Sequence, residues 1–164
     1  MIVLVGEALA DVPVGAVLRP TRSDWSPTTH EGRALDLSAG ADWLERCSAQ
    51  GHLPVGSAAI TDPGGLACEF VIHLAVCSRD EPVGSRSVSD ALRNALRRAT
   101  EWDVRVLTTP VLGTGPGALE PSTACGLMRP LLSTWVEGLQ GRTVRVAVAA
   151  DAEREAARSA WGAG

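Results

Sequence analysis

The sequence contains no lysine and no tyrosine, and all 15 of its basic residues are arginine. Without lysine the chain has no Schiff-base amine, no lysine general base and no P-loop lysine. Its 19 acidic residues give a formal net charge of -4. Non-specific binding to nucleic acid depends on neutralising phosphates, so this balance argues against a nucleic-acid partner.

Long hydrophobic runs and closely spaced cysteine pairs are also missing. No apolar stretch approaches the roughly 18 residues of a membrane helix, and the first residues lack the pattern of a signal peptide. We therefore expect a cytoplasmic protein with no membrane partner. Cys47, Cys68, Cys77 and Cys125 form no CxxC or zinc-finger spacing, so the sequence predicts free buried thiols, no metal and no cofactor.

Apolar runs and amphipathic stretches alternate along the second half of the chain, and 45% of all residues are hydrophobic. Strands are predicted over residues 2–5, 14–18, 55–61, 68–76, 104–111 and 143–149. Helices are predicted over residues 39–50, 87–102, 121–138 and 151–161, with a long polar loop over residues 19–33. This alternation predicts one α/β domain spanning residues 1–164, a three-layer α/β/α sandwich with a mixed central sheet.

A glycine-rich loop carrying Gly113, Gly115 and Gly117 stands between a predicted buried strand and a predicted helix. Glycines in this position let backbone amides approach phosphate oxygens, and the helix N-terminus adds partial positive charge. The loop lacks the GK[ST] of a P-loop, and it comes too late in the chain for a dinucleotide fingerprint. The sequence favours an anion site, although a tight turn that needs positive φ explains the same glycines.

Four segments resemble the macro domain family in their order and spacing. They are VGSAAIT at residues 55–61, FVIH at residues 70–73, the helix at residues 89–100 and TPVLGTGPGAL at residues 109–119. The resemblance implies a macro fold with a cleft for ADP-ribose or a related nucleotide diphosphate. Some members of the family bind this ligand and others hydrolyse it from proteins, so ADP-ribosylated protein is an implied partner.

The resemblance assigns ligand contacts clearly in one loop and less clearly at other positions. The phosphate-binding loop of the family corresponds to Gly113, Thr114, Gly115, Gly117 and Ala118. Pro116 supplies no amide in that loop, and Glu120 stands where the family often has proline and would repel a diphosphate if it pointed inward. Glu7, within GEAL at residues 6–9, resembles the family aspartate that contacts the adenine amino group. No aromatic residue stands near residues 151–156, where one often stacks on adenine.

The other ligand loop of the family, NAANxxLxGGGGVxGAI, is replaced by residues 19–35 of this chain, and both asparagines are lost. Arg22, like Arg19 and Arg33, is a candidate partner for a diphosphate, and Trp25 is a candidate for stacking on a base or ribose. The alternatives are that the arginines are solvated and that Trp25 packs the loop onto the domain. His73 lies in an apolar run and is predicted to be a core histidine.

Three functions remain open from the sequence. The first is a module that binds ADP-ribose or another nucleotide diphosphate through residues 113–118. The second is an ADP-ribosyl hydrolase in which Asp24, His30 or Glu31 activates water in place of the lost asparagine. The third is a macro scaffold that has lost its ligand and serves as an interaction module. A cleft filled by Trp25 or Glu120 favours the third function, and an open cleft lined by amides favours the first.

Overall fold

A computed structural model describes residues 1–162 and shows a six-stranded sheet with the strand order β1-β6-β5-β2-β4-β3. The strands are β1 (Ile2–Val5), β2 (Ala16–Arg22), β3 (Ala58–Thr61), β4 (Phe70–Cys77), β5 (Val106–Pro110) and β6 (Thr143–Ala147). The helices are α1 (His30–Ala39), α2 (Ala41–Ser48), α3 (Ser85–Glu101), α4 (Pro121–Glu137) and α5 (Asp151–Trp161). Only β3 is antiparallel to its neighbour. The predicted α/β fold with a mixed sheet is confirmed.

Separate hydrophobic clusters cover the two faces of the sheet. On one face, Leu18 of β2 belongs to the cluster that includes Leu92 of α3 and Met128 of α4. On the other face, Val17 belongs to the cluster that includes Trp43 of α2. Consecutive residues of a strand point to opposite faces, so β2 contributes to both cores and is buried along nearly its whole length.

The predicted loop over residues 19–33 is largely wrong, because β2 continues through Arg22 and α1 begins at His30. Pro20 made a strand improbable, since proline cannot donate a hydrogen bond to a sheet. The structure accommodates it because β2 pairs with β5 only at Ala16 and Val17, after which β4 alone accompanies it. The first turn of α1 is capped by Thr29, whose side chain accepts a hydrogen bond from the Gly32 amide at 3.0 Å.

The tryptophans and cysteines differ in how well the sequence predicted them. The helical patterns that carry Trp43, Trp102 and Trp135 predict core packing for each of them. Trp43 and Trp135 are buried, whereas Trp102 is 55% exposed and packs against Phe70 at the surface, so its predicted core position is wrong. Helical periodicity had placed it on the apolar face, but it is the residue that follows α3. All four cysteines are free and buried, as predicted. Within residues 1–162, no helix is both long and apolar enough to span a bilayer.

Five parallel strands bring their carboxyl ends to one edge of the sheet. The helices α1, α4 and α5 follow β2, β5 and β6 respectively, so their N-termini start at this edge. Ligand sites of open α/β sheets lie outside the carboxyl ends of the strands. A ligand site is therefore expected at this edge.

Candidate functional site

A cavity of about 210 Å³ lies at the carboxyl ends of β1, β5 and β6. The chain after each of these strands contributes to its wall, through residues 6–9, Thr114 and Ala149. The starts of α1 and α5 supply the remaining wall through Thr29, Glu31 and Glu153. Of the sequence-predicted ligand residues, Glu7 and Thr114 thus line one cavity although they are far apart in sequence.

The glycine-rich loop after β5 adopts a backbone that only glycine takes up easily. Gly113, Gly115 and Gly117 have φ angles of +81°, +135° and +73°. A Cβ atom at Gly113 would lie 2.7 Å from the Val88 side chain. Gly113 is thus required both by its conformation and by close packing against α3.

The same loop presents backbone donors that the protein does not use. The amides of Ala118 and Leu119 close the loop on the carbonyl groups of Gly115 and Gly113, at 3.1 and 2.9 Å. Within residues 1–162, the amides of four loop residues donate to no protein acceptor: Gly113, Thr114, Gly115 and Gly117. Gly113 is buried and Thr114 is half-buried, so their amides would normally have a partner, whereas Gly115 and Gly117 are exposed to solvent. An acceptor such as a phosphate oxygen therefore suits this loop. Pro116 contributes no donor.

Three carboxylates line the cavity, and two of them already have partners. Glu7 forms an ion pair with Arg145 of β6. Glu153 accepts a hydrogen bond from the Thr114 hydroxyl at 2.9 Å, which connects α5 to the glycine-rich loop. Glu31 is exposed at the start of α1. Carboxylates accept hydrogen bonds from hydroxyl and amino groups, so this wall complements the sugar and base of a nucleotide better than its phosphates.

A buried polar cluster lies under residues 23–29, the segment between β2 and α1 that we call the first loop. Arg19 is the centre of this cluster. The Arg19 side chain is fully buried and holds Asp36 of α1 through two hydrogen bonds, 2.7 and 2.8 Å long. Its remaining donors reach the Trp25 carbonyl oxygen at 2.6 Å and Nδ1 of His73 at 3.2 Å. One side chain therefore ties together β2, the first loop, α1 and β4. Arg19 serves the fold and does not reach the cavity, in contrast to its predicted pairing with a diphosphate.

His73 is a satisfied core histidine, as the sequence predicts. Because Nδ1 accepts from Arg19, the proton resides on Nε2, which donates to the Thr61 hydroxyl at 2.8 Å. Burial, reinforced by the Arg19 guanidinium, holds the pKa of His73 well below 6.5. The ring is therefore neutral at physiological pH.

We expect the stability of the protein to fall as the pH drops below 6.5, because the unfolded chain then binds a proton at His73 that the folded state excludes. Above pH 6.5 the neutral His73 makes its full contribution to stability. Below that pH the free energy of unfolding falls by at most about 1.4 kcal/mol per pH unit because of this group. Urea denaturation of wild type and His73→Gln between pH 7.5 and about 5 measures the difference, with His52→Gln as an exposed control. Equal slopes for wild type and His73→Gln would contradict this assignment.

Trp25 lies in the core beneath the first loop. Its side chain is 3% exposed, its ring contacts His73 with centroids 5.0 Å apart, and Nε1 donates to the Gly51 carbonyl oxygen at 2.7 Å. Its φ of +72° is unusual for a residue with a side chain. The structure therefore does not bring Trp25 to the cavity.

Arg22 and Asp24 line an open groove of about 580 Å³ at the ends of β2 and β4. The Arg22 guanidinium donates to the Pro27 carbonyl oxygen at 2.7 Å. Hydrogen bonds from Ser26 lower the pKa of Asp24. His30 is exposed at the first residue of α1. Of the three candidates for activating water, only Glu31 lines the cavity.

Sequence reasoning missed Thr29, Arg145 and Glu153. The position of Thr29 before a helix was a usable capping signal, but the predicted loop over residues 19–33 concealed the helix. Arg145 and Glu153 reach Glu7 and Thr114 only through the folded sheet. Within residues 1–162, no three histidine, cysteine or acidic side chains gather in the way a metal site needs.

The chain is an α/β domain with a mixed sheet and a cavity at the carboxyl ends of its strands, beside the glycine-rich loop. Comparison with known proteins gives the family. The macro domain family model matches residues 31–128. The chain belongs to the macro domain family.

Individual relatives agree with this family. An uncharacterized protein of Aeropyrum pernix is 31% identical over 114 residues, which cover 68% of this chain and 59% of that protein. The chain spans less than two thirds of the length of the curated relatives it matches. The Oceanobacillus iheyensis macrodomain with ADP superposes with a TM-score of 0.83 at 15% identity, covering 95% of this chain and 87% of that one. The macro domain of ganglioside induced differentiation associated protein 2 gives a TM-score of 0.84 at 19% identity, covering 96% and 81%. These structures show the fold.

Proposed function

We propose that the chain binds ADP-ribose or a related nucleotide diphosphate in the cavity at the carboxyl ends of β1, β5 and β6. The free amides of the glycine-rich loop are the observation that carries the proposal. These amides belong to Gly113, Thr114, Gly115 and Gly117, of which Thr114 lines the cavity, and Ala118 lies beside them on the loop. The Oceanobacillus iheyensis macrodomain, which shares the fold, is a structure with ADP.

Charge at the cavity supports a ligand with two chemically different ends. The N-termini of α1, α4 and α5 lie at this edge of the sheet, and each carries partial positive charge that favours phosphate. Glu7 and Glu153 are suited to accept hydrogen bonds from an amino group or ribose hydroxyls. The pairing of Glu7 with Arg145 also reduces its repulsion of the diphosphate.

The cavity itself favours binding over a scaffold that has lost its ligand. Trp25 does not fill it, and Glu120 is an exposed N-cap residue of α4 that makes no capping hydrogen bond. Hydrolysis has less support than binding. Asp24 and His30 do not line the cavity, and Glu31 is the single remaining candidate to activate water.

We expect Gly117→Val to weaken binding of ADP-ribose by at least about tenfold, or 1.4 kcal/mol. A β-branched residue resists the φ of +73°, so the loop must move and its amides no longer point together. Isothermal titration calorimetry of the purified chain measures the affinity. Gly141→Val is the matched control, because Gly141 has a φ of +91°, also meets nothing within 4 Å and lies far from the cavity on the turn before β6.

The control separates a lost site from a damaged fold. Both variants introduce similar strain, so comparable losses of stability with a binding defect in Gly117→Val alone support the proposal. Wild-type protein that releases no heat and shows no thermal shift with millimolar ADP-ribose or ADP would refute it. Wild-type affinity in Gly117→Val would show that the glycine-rich loop does not contact the ligand.

A further inference from the structure

The carboxyl edge of the sheet is divided into two compartments by the turn at residues 21–27. The nucleotide cavity lies over β1, β6 and β5, and the open groove lies over β2 and β4. Of residues 19–35, only Thr29 and Glu31 line the nucleotide cavity. A ligand that extends from the glycine-rich loop across the sheet therefore meets this turn.

The turn is closed by its own hydrogen bonds. The Arg22 amide donates to the Ser26 carbonyl oxygen, and the Trp25 amide donates to the Arg22 carbonyl oxygen, both at 2.9 Å. The Thr21 hydroxyl donates to the same Ser26 oxygen at 2.8 Å, and the Arg22 side chain adds its bond to Pro27. The buried indole of Trp25 fixes the turn from below. These donors and acceptors are already paired with one another, so they are not available to hydrogen-bond a ligand.

The cavity encloses only part of a nucleotide. Pockets that enclose drug-sized ligands measure about 300–1,000 Å³, whereas this cavity has about 210 Å³, so a sugar beyond the diphosphate lies outside it. The Thr29 hydroxyl already accepts a hydrogen bond from Gly32. Burying ribose hydroxyls without new hydrogen-bond partners costs free energy, because their hydrogen bonds to water are lost. An unesterified terminal phosphate, by contrast, has one more ionisable oxygen for the free amides and the helix N-termini.

We propose that the site recognises a nucleoside diphosphate and gains no affinity from a sugar esterified to its terminal phosphate, an inference that rests on the proposed function. ADP then binds as tightly as ADP-ribose or more tightly. The turn at residues 21–27 is the element that withholds contacts from the second sugar.

Calorimetric titration of the same protein with ADP and with ADP-ribose tests the inference. An affinity for ADP-ribose no more than about threefold above that for ADP supports it, and a larger advantage for ADP-ribose overturns it while leaving the proposed function intact. Absence of binding by both ligands at millimolar concentration rejects the proposed function and the inference together.

A pair of arginine variants tests the role of the turn. Arg22→Ala removes the side-chain bond to Pro27 without opening the core, so we expect the affinity ratio of ADP-ribose to ADP to rise by about threefold or more. Arg79→Ala, an exposed change at the opposite side of the groove, should leave the ratio unchanged. A ratio that is the same in Arg22→Ala and Arg79→Ala contradicts the role assigned to the turn.

Discussion

Asp36→Ala is expected to lower the free energy of unfolding by about 3–5 kcal/mol, the cost of leaving a buried charge without its partner. The Arg19 side chain has no exposure to solvent, and Asp36 supplies both carboxylate oxygens to it. Domains of this kind are stable by about 5–15 kcal/mol, so this change removes a large part of the total. Urea denaturation followed by fluorescence measures it.

A matched surface variant shows whether burial is the cause. Glu101→Ala removes the partner of Arg98, an ion pair of similar length at 3.0 Å whose side chains are 35% and 46% exposed. Exposed pairs contribute about 0–1 kcal/mol, so Glu101→Ala should have little effect. A loss of less than about 1 kcal/mol in Asp36→Ala would show that Arg19 reaches water and that the cluster is not closed.

A second variant keeps the test valid if Asp36→Ala does not fold. Replacing both partners, as Arg19→Met with Asp36→Leu, removes the buried charge together with its counterion. Apolar replacement of a whole buried pair is often neutral or stabilising, so the double variant should be more stable than Asp36→Ala. The Trp25 carbonyl oxygen and His73 lose a donor in the double variant, so the recovery is expected to be partial.

The parts of the fold that were predictable from sequence are those with local signals. Gly113, Gly115 and Gly117 indicate a loop from the sequence alone, because each has a positive φ and glycine adopts that conformation most easily. The helices after β5 and β6 were predicted within about a residue of their observed ends, since their apolar faces repeat at helical spacing. Boundaries and residue types here depend on neighbours a few residues away.

The first ligand loop was not predictable, because its structure depends on distant partners. Arg19 looks like a solvated residue until the fold brings Asp36 and His73 against it. The hydrogen bond between Thr114 and Glu153 spans 39 residues. Sequence spacing gives no measure of such contacts, so the resemblance located the glycine-rich loop and left the role of residues 19–35 open.

Trp25→Ala is expected to cost about 3–5 kcal/mol, as for other buried aromatic residues truncated to alanine. The indole is 3% exposed, packs on His73 and closes the hydrogen bond to Gly51. Trp102→Ala is the matched control, because Trp102 is 55% exposed and should cost much less. Urea denaturation of both variants against wild type measures the difference. Equal losses in the two variants would contradict the buried position of Trp25.

Trp25→Phe separates a core role from a ligand-stacking role. Phenylalanine keeps an aromatic ring against His73 but loses the indole donor to Gly51, so stability should fall by about 1 kcal/mol. Because Trp25 does not line the cavity, affinity for ADP and ADP-ribose should equal that of wild type. Wild-type stability together with binding weakened about tenfold would instead place the ring on the ligand. The two measurements on this one variant therefore decide whether the first loop acts through the core or through the nucleotide.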